Sequence, residues 1–201
     1  FLQPVIVGEL YVNCYILSDA GWEKEGCVID PGDDFKKIYE IINKNKINIK
    51  YIILTHGHFD HIGAVRELKE KTNADILIHK KDEFMINNFD KILSKMMGKD
   101  YLIEADRLLE DDDIVSVRDL KMHVLHTPGH TPGGICIKFD NMIFSGDTLF
   151  SGGVGRTDFP FSSEEDIFPP VKLGIKGFII SILELYPIFG RFSLAKTIIF
   201  L

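Results

Sequence analysis

Tyr51-Ile52-Ile53-Leu54-Thr55-His56-Gly57-His58-Phe59-Asp60-His61 is the stretch from which the rest of the chain can be read. Its first four residues form a short apolar run, the pattern of a buried strand. Beyond it, Ala64 to Lys71 carries Val65 and Leu68 at helical spacing, which puts the polar residues on a strand-to-helix loop. Side chains at i and i+2 of an extended loop point the same way, so His56 and His58 can reach one cation. Asp60 and His61 sit where the helix starts and face elsewhere, toward a second cation beside the first. Imidazole nitrogen and carboxylate oxygen, with no thiolate in reach, suit zinc, iron or manganese. Solvated loop polars or helix caps are the plainer alternative. Four such groups between positions 56 and 61, directly after a buried strand, argue against it.

At 201 residues the chain reads as a single domain, 1–201, able to bury a core without staples. A net charge of -7 and a pI near 5.5 disfavour nucleic acid or an anionic membrane as partner. Cys14, Cys27 and Cys136 each lie in apolar surroundings and read as buried free thiols. Their odd count, with no signal segment in view, fits a reducing, cytoplasmic setting.

From the start, Val5–Val7 and Tyr11–Leu17 read as two strands of a meander, and Gly26–Asp30 as a third closed by Pro31-Gly32. Asp33 or Asp34 is expected to cap a helix bearing Ile38, Ile41 and Ile42. Asp30 ends its strand beside the metal loop and is a candidate for supporting a ligand, turn formation being its ordinary role. After the metal helix, Asp75–His79 reads as a strand and Lys80 to about Gly98 as a polar helical region. His79 is expected to be structural or solvated, and Glu110–Asp113 a solvated turn. Ile114–Val117 and Lys121–Leu125 form a β pair.

Two further loops follow strands. His126-Thr127-Pro128-Gly129-His130-Thr131-Pro132-Gly133-Gly134 holds His130 between Pro-Gly turns, a rigid way to aim one imidazole. His126 reads as a hydrogen-bonding partner and His123 as surface. Ser145-Gly146-Asp147-Thr148 follows the strand Met142–Phe144, and Asp147 at that strand's carboxyl end reads as a ligand rather than a cap.

His56-x-His58-x-Asp60-His61, then His130, then Asp147, resembles the metallo-β-lactamase superfamily, most of all its short glyoxalase II-like (hydroxyacylglutathione hydrolase-like) members. Asn13–Leu17, Asp30-Pro31-Gly32 and Gly155-Arg156-Thr157-Asp158-Phe159-Pro160 are similar to that subgroup too. The resemblance implies an α/β fold, an αββα four-layer sandwich of two mixed β-sheets. It implies one metal held by His56, His58 and His130, a second by Asp60 and His61, and Asp147 bridging them. On that resemblance two cations, roughly 3.5–4 Å apart in sites of this kind, would supply a hydroxide able to attack a thioester carbonyl such as that of S-lactoylglutathione. Asp60 would orient that hydroxide, and zinc, one or two ions, is the first expectation for the metal. Arg156 falls where longer relatives bind the glutathione carboxylate, a loop salt bridge with Asp158 being its plain role. Tyr15 and Phe150 line the pocket or fill the core.

The segment from Ile167 breaks the pattern. Its only acid is Glu184 and no histidine follows His130, so Phe189 in Tyr186-Pro187-Ile188-Phe189-Gly190 stands where the resemblance implies a further metal-two imidazole. The change of composition over 167–201 reads as a shifted frame or misassigned side chains. A genuine tail would leave the second metal loosely held. A mononuclear iron persulfide dioxygenase, using His56, His130 and Asp147, is the second reading, and a non-catalytic metal-binding relative the third.

Overall fold

The computed structural model describes residues 1–87, 103–150, 153–167 and 198–200, the last three by their backbone. A six-stranded sheet runs in chain order through β1 (Leu2–Val7), β2 (Val12–Ser18), β3 (Lys24–Ile29), β4 (Ile47–Ile53), β5 (Asp75–His79) and β6 (Arg107–Leu109). Its first two pairings are antiparallel hairpins. From β3 to β6 the strands are parallel, because helical crossovers return the chain in the same direction. Those crossovers include α1 (Phe35–Asn45), α2 (Phe59–Ile62), α3 (Val65–Thr72) and α4 (Glu83–Asn87). The second sheet orders as β13 (Ile198–Phe200), β10 (Met142–Phe144), β9 (Ile135–Phe139), β8 (Leu120–His126) and β7 (Ile114–Val117). A short ribbon pairs β11 (Leu149–Phe150) with β12 (Gly153–Val154).

The expectation of two mixed sheets needs correction. Among the described residues only the six-stranded sheet is mixed; every described pairing in the second is antiparallel. From β7 to β10 successive strands follow through short connections, too short for a parallel crossover.

Alternation within strands assigns the layers. Along β4, Ile52 faces the helices while its neighbour Ile53 faces the other sheet, and a register shift at Lys50 keeps Ile49 on the helix side as well. Burial on both faces is why this strand lacks polar residues at its end. The helix-side core joins Ile38 and Ile42 of α1 to Val65 and Leu68 of α3. Between the sheets, Tyr15, Leu17, Ile29 and Leu77 meet Met122, Val124, Ile137 and Phe144. Tyr15 is therefore core, its ring 4.9 Å from that of Phe144. The outer face of the second sheet carries a smaller cluster of Cys136, Ile143 and Leu149. All three cysteines are buried and free.

Two local expectations also change. Asp34 occupies the N-cap position of α1 but makes no side-chain cap. Its left-handed backbone turns the carboxylate away, and Oδ2 accepts the Gly8 N–H at 3.1 Å, fastening the β1–β2 turn. The helix expected from Lys80 to Gly98 is seen only as α4; positions 88–98 lie outside the described residues, as do Glu184 and Phe189.

Candidate metal centre

Strands β3, β4 and β5 point their carboxyl ends the same way, and β8 and β10, both antiparallel to β9, share a direction. The loops that follow them meet at one edge. His58 Nδ1 lies 2.9 Å from His130 Nε2, although the residues are 72 positions apart. His61 Nε2 lies 3.1 Å from Asp147 Oδ1, and His130 Nε2 is 3.5 Å from Asp147 Oδ2. Two overlapping sets, His56 with His58 and His130, and His56 with His61 and Asp147, each bring their donor atoms within 4.8 Å of one another. Asp60, expected beside His61, is 3.7 Å from its Nε2 and belongs to neither set.

Hydrogen bonds decide which nitrogen of each ring is free to donate a lone pair. Asp30 is buried at a positive φ of 49°, and its carboxylate accepts the Thr55 N–H and hydroxyl at 2.8 and 2.7 Å. Having given its proton to Asp30, Thr55 Oγ1 can only accept from His56 Nδ1, 3.1 Å away. The lone pair of His56 is thus on Nε2. That atom is buried and has no hydrogen-bond partner among the described residues. An orphaned buried nitrogen costs about 1–3 kcal/mol, which donation to a cation would offset. His61 Nδ1 lies against Asp30 Oδ2 at 2.9 Å as an ion pair, and its Nε2 lies toward Asp147. His130 gives Nδ1–H to the Arg156 carbonyl at 2.8 Å, leaving Nε2 toward His58. The residues present fit a transition-metal cation.

Charge states agree with that fit. Burial, then repulsion by His61 and His58, holds His56 well below the ordinary imidazole range. Burial and the His130 ring push His58 down to about 4, and burial lowers His130. Neutral imidazoles keep their lone pairs. At His61 burial opposes charge, but Asp30, Asp60 and Asp147 outweigh it and push the ring up to about 10. The carboxylates that favour a proton there favour a metal cation equally.

The remaining candidates sort plainly. Arg156 turns its guanidinium to Asp158, at 2.8 and 2.7 Å, and lies 4.4 Å over the Phe159 ring, while its carbonyl orients His130. Phe159 stands edge-on 5.5 Å from His58 and was not singled out by sequence reasoning. Phe150 is half-buried in β11. His123 is exposed. His79 is buried against His126, the rings stacked at 4.2 Å, and His126 Nε2–H donates to the Pro132 carbonyl at 2.9 Å. In the acidic turn, Asp111 accepts the His126 N–H at 2.7 Å. Asp82, fully buried beneath the two histidine loops, was missed, because it lies in Lys80-Lys81-Asp82-Glu83 and looks like a solvated charge run.

Comparison with known proteins fits this geometry. A family profile described as the metallo-beta-lactamase superfamily matches residues 7–178. The hydroxyacylglutathione hydrolase GloC of Haemophilus influenzae is 32% identical over 176 residues, 85% of this chain and 82% of that protein. Among solved structures, BLEG-1, a B3 metallo-beta-lactamase, superposes with a TM-score of 0.78 at 27% identity, over 87% of this chain and 85% of that one. TTHA1623 in a di-iron-bound form gives 0.73 at 30% identity, over 92% and 87%.

Proposed function

The chain belongs to the metallo-β-lactamase superfamily, and from that premise we propose that it is a metal-dependent hydrolase of small thioesters such as S-lactoylglutathione. The observation that carries the reading is Asp147, which turns one oxygen to His61 and the other to His130 and so joins two donor sets. His56, His58 and His130 would hold one cation, and His61 with Asp147, Asp60 alongside, a second. Bound there, a divalent cation such as zinc, iron or manganese lowers the pKa of water toward about 7 and polarises a carbonyl.

The chain's own groups do the rest. Asp60, only partly exposed, accepts a hydrogen bond from the attacking water and aims it. The leaving thiolate is weakly basic and needs no general acid. Arg156 offers its charge to an anionic thiol moiety at the rim, since an exposed pair such as Arg156–Asp158 is readily exchanged. Similarity to GloC supports a thioester substrate. The buried free thiols support a cytoplasmic setting, and no described helix is long and apolar enough to cross a membrane.

The test is release of thiol from S-lactoylglutathione by the full chain loaded in turn with zinc, iron and manganese. Turnover lost on chelation is expected; no turnover with any of the three would overturn the reading. A second reading, a mononuclear iron persulfide dioxygenase using His56, His130 and Asp147, is favoured by the absence of any histidine after His130 in the sequence. Oxygen consumption with glutathione persulfide would single it out.

A further inference from the structure

Asp82 takes no part in the chemistry above, yet it is a carboxylate with 0% exposure. Its Oδ2 accepts the Gly57 N–H at 3.1 Å and the Thr131 hydroxyl at 2.7 Å, and its Oδ1 accepts the Gly133 N–H at 2.5 Å. Gly57 lies between His56 and His58; Thr131 and Gly133 follow His130. One side chain therefore ties together the two loops that supply the three imidazoles.

The post itself is rigid. Asp82 N–H donates to the His79 carbonyl and its own carbonyl accepts from Met85 N–H, both at 2.9 Å, at the entry to α4. Both loops approach it closely. A Cβ on Gly57 would lie 2.5 Å from Met85 Cβ, and one on Gly133 would lie 2.6 Å from Asp82 N. These glycines are accounted for by contact with the 82–85 turn. A backbone bond from Ile135 N–H to the Thr55 carbonyl, 2.9 Å, joins the same two segments at their strand ends. Beside the contact between the His58 and His130 rings themselves, Asp82 joins them at the histidines.

We infer that Asp82 is a positioning residue for the metal centre: by clamping Gly57 to Thr131 and Gly133 it holds His56, His58 and His130 in binding geometry and thereby sets metal affinity. This rests on the reading that these histidines hold a cation. An isosteric Asp82→Asn cannot satisfy all three donors. With its NH2 at either oxygen position it faces a backbone N–H, of Gly57 or of Gly133, and that bond is lost.

The experiment measures zinc affinity of the full chain by competition with a chromophoric chelator, alongside the melting temperature of the metal-free protein. Supports of this kind cost ten-fold or more in metal affinity, so Asp82→Asn is expected to weaken zinc binding about ten-fold at a temperature where it remains folded. Thr131→Val, which deletes one donor and keeps the shape, should weaken it less, and it carries the test alone if Asp82→Asn does not fold. Leu68→Ala, a change in the helix-side core that touches none of the Asp82 bonds, should lower the melting temperature and leave affinity unchanged. Wild-type affinity in a folded Asp82→Asn, or in Thr131→Val as the sole folded variant, overturns the inference while leaving the metal site standing. Equal weakening by Leu68→Ala overturns it as well. A wild type that binds no zinc removes the metal reading and the inference together.

Discussion

Between the sheets, burial is achieved with Leu17, Ile53, Leu77, Met122 and Phe144. Beneath the three loops, Asp30, Thr55, Asp82, Thr127, Thr131 and Thr148 are buried as deeply, at 4% exposure or less. The two regions obey different rules. Apolar burial is non-directional, and cores of this kind accept swaps that keep volume. The polar shelf is directional. Thr127 Oγ1 meets Thr148 Oγ1 at 2.9 Å and so links the His130 loop to the Asp147 loop, while Asp30 gathers two donors and the His61 ring, and Asp82 three donors. A change of one atom there breaks a bond that burial makes costly to leave unmade. The core stabilises the sandwich; the shelf aims its imidazoles.

If the division is real, damage to each region should register in a different measurement. His56→Ala should lower hydrolysis about 10⁴-fold, several kcal/mol of transition-state stabilisation, while the metal-free protein melts no earlier than wild type because an orphaned nitrogen has gone. A collapse in melting temperature would mean that the centre is part of the core. Phe144→Ala should cost about 3–5 kcal/mol in denaturant unfolding and leave zinc affinity of the folded protein as it was. Asp30→Asn keeps the shape and suits the left-handed backbone, so it should cost no more than about 1–3 kcal/mol in unfolding yet bind zinc about 10–100-fold more weakly. The smallest effect is expected at Arg156→Ala, where the exposed pair with Asp158 is lost: a modest rise in KM, with kcat and melting temperature unmoved in steady-state and thermal assays.

The difference between the regions also explains what could be read in advance. Strand β5 has the bounds read from the sequence, Asp75–His79 around the apolar Ile76-Leu77-Ile78, and His56, His58, His130 and Asp147 were picked out because each follows a strand. Such patterns are local, and local spacing is what a sequence displays. The shelf is not local. Nothing near Asp82 in the chain reveals that Gly57 and Gly133, 25 positions before it and 51 after, donate to it. Arg156 shows the same limit. Its charge attracted notice, but the atom that reaches the centre is its carbonyl, which every residue type has. The strand pairing of the second sheet was misjudged for a related reason, since short connections decide direction and family resemblance does not.

Metal content of the full chain and of its His130→Ala variant, measured by mass spectrometry after desalting, asks whether loops far apart in sequence enclose one cation. Wild type should retain at least one equivalent of zinc, iron or manganese, and the variant should lose it. A wild type that retains none, or a variant that retains as much as wild type, would contradict the convergence on which every functional assignment here stands.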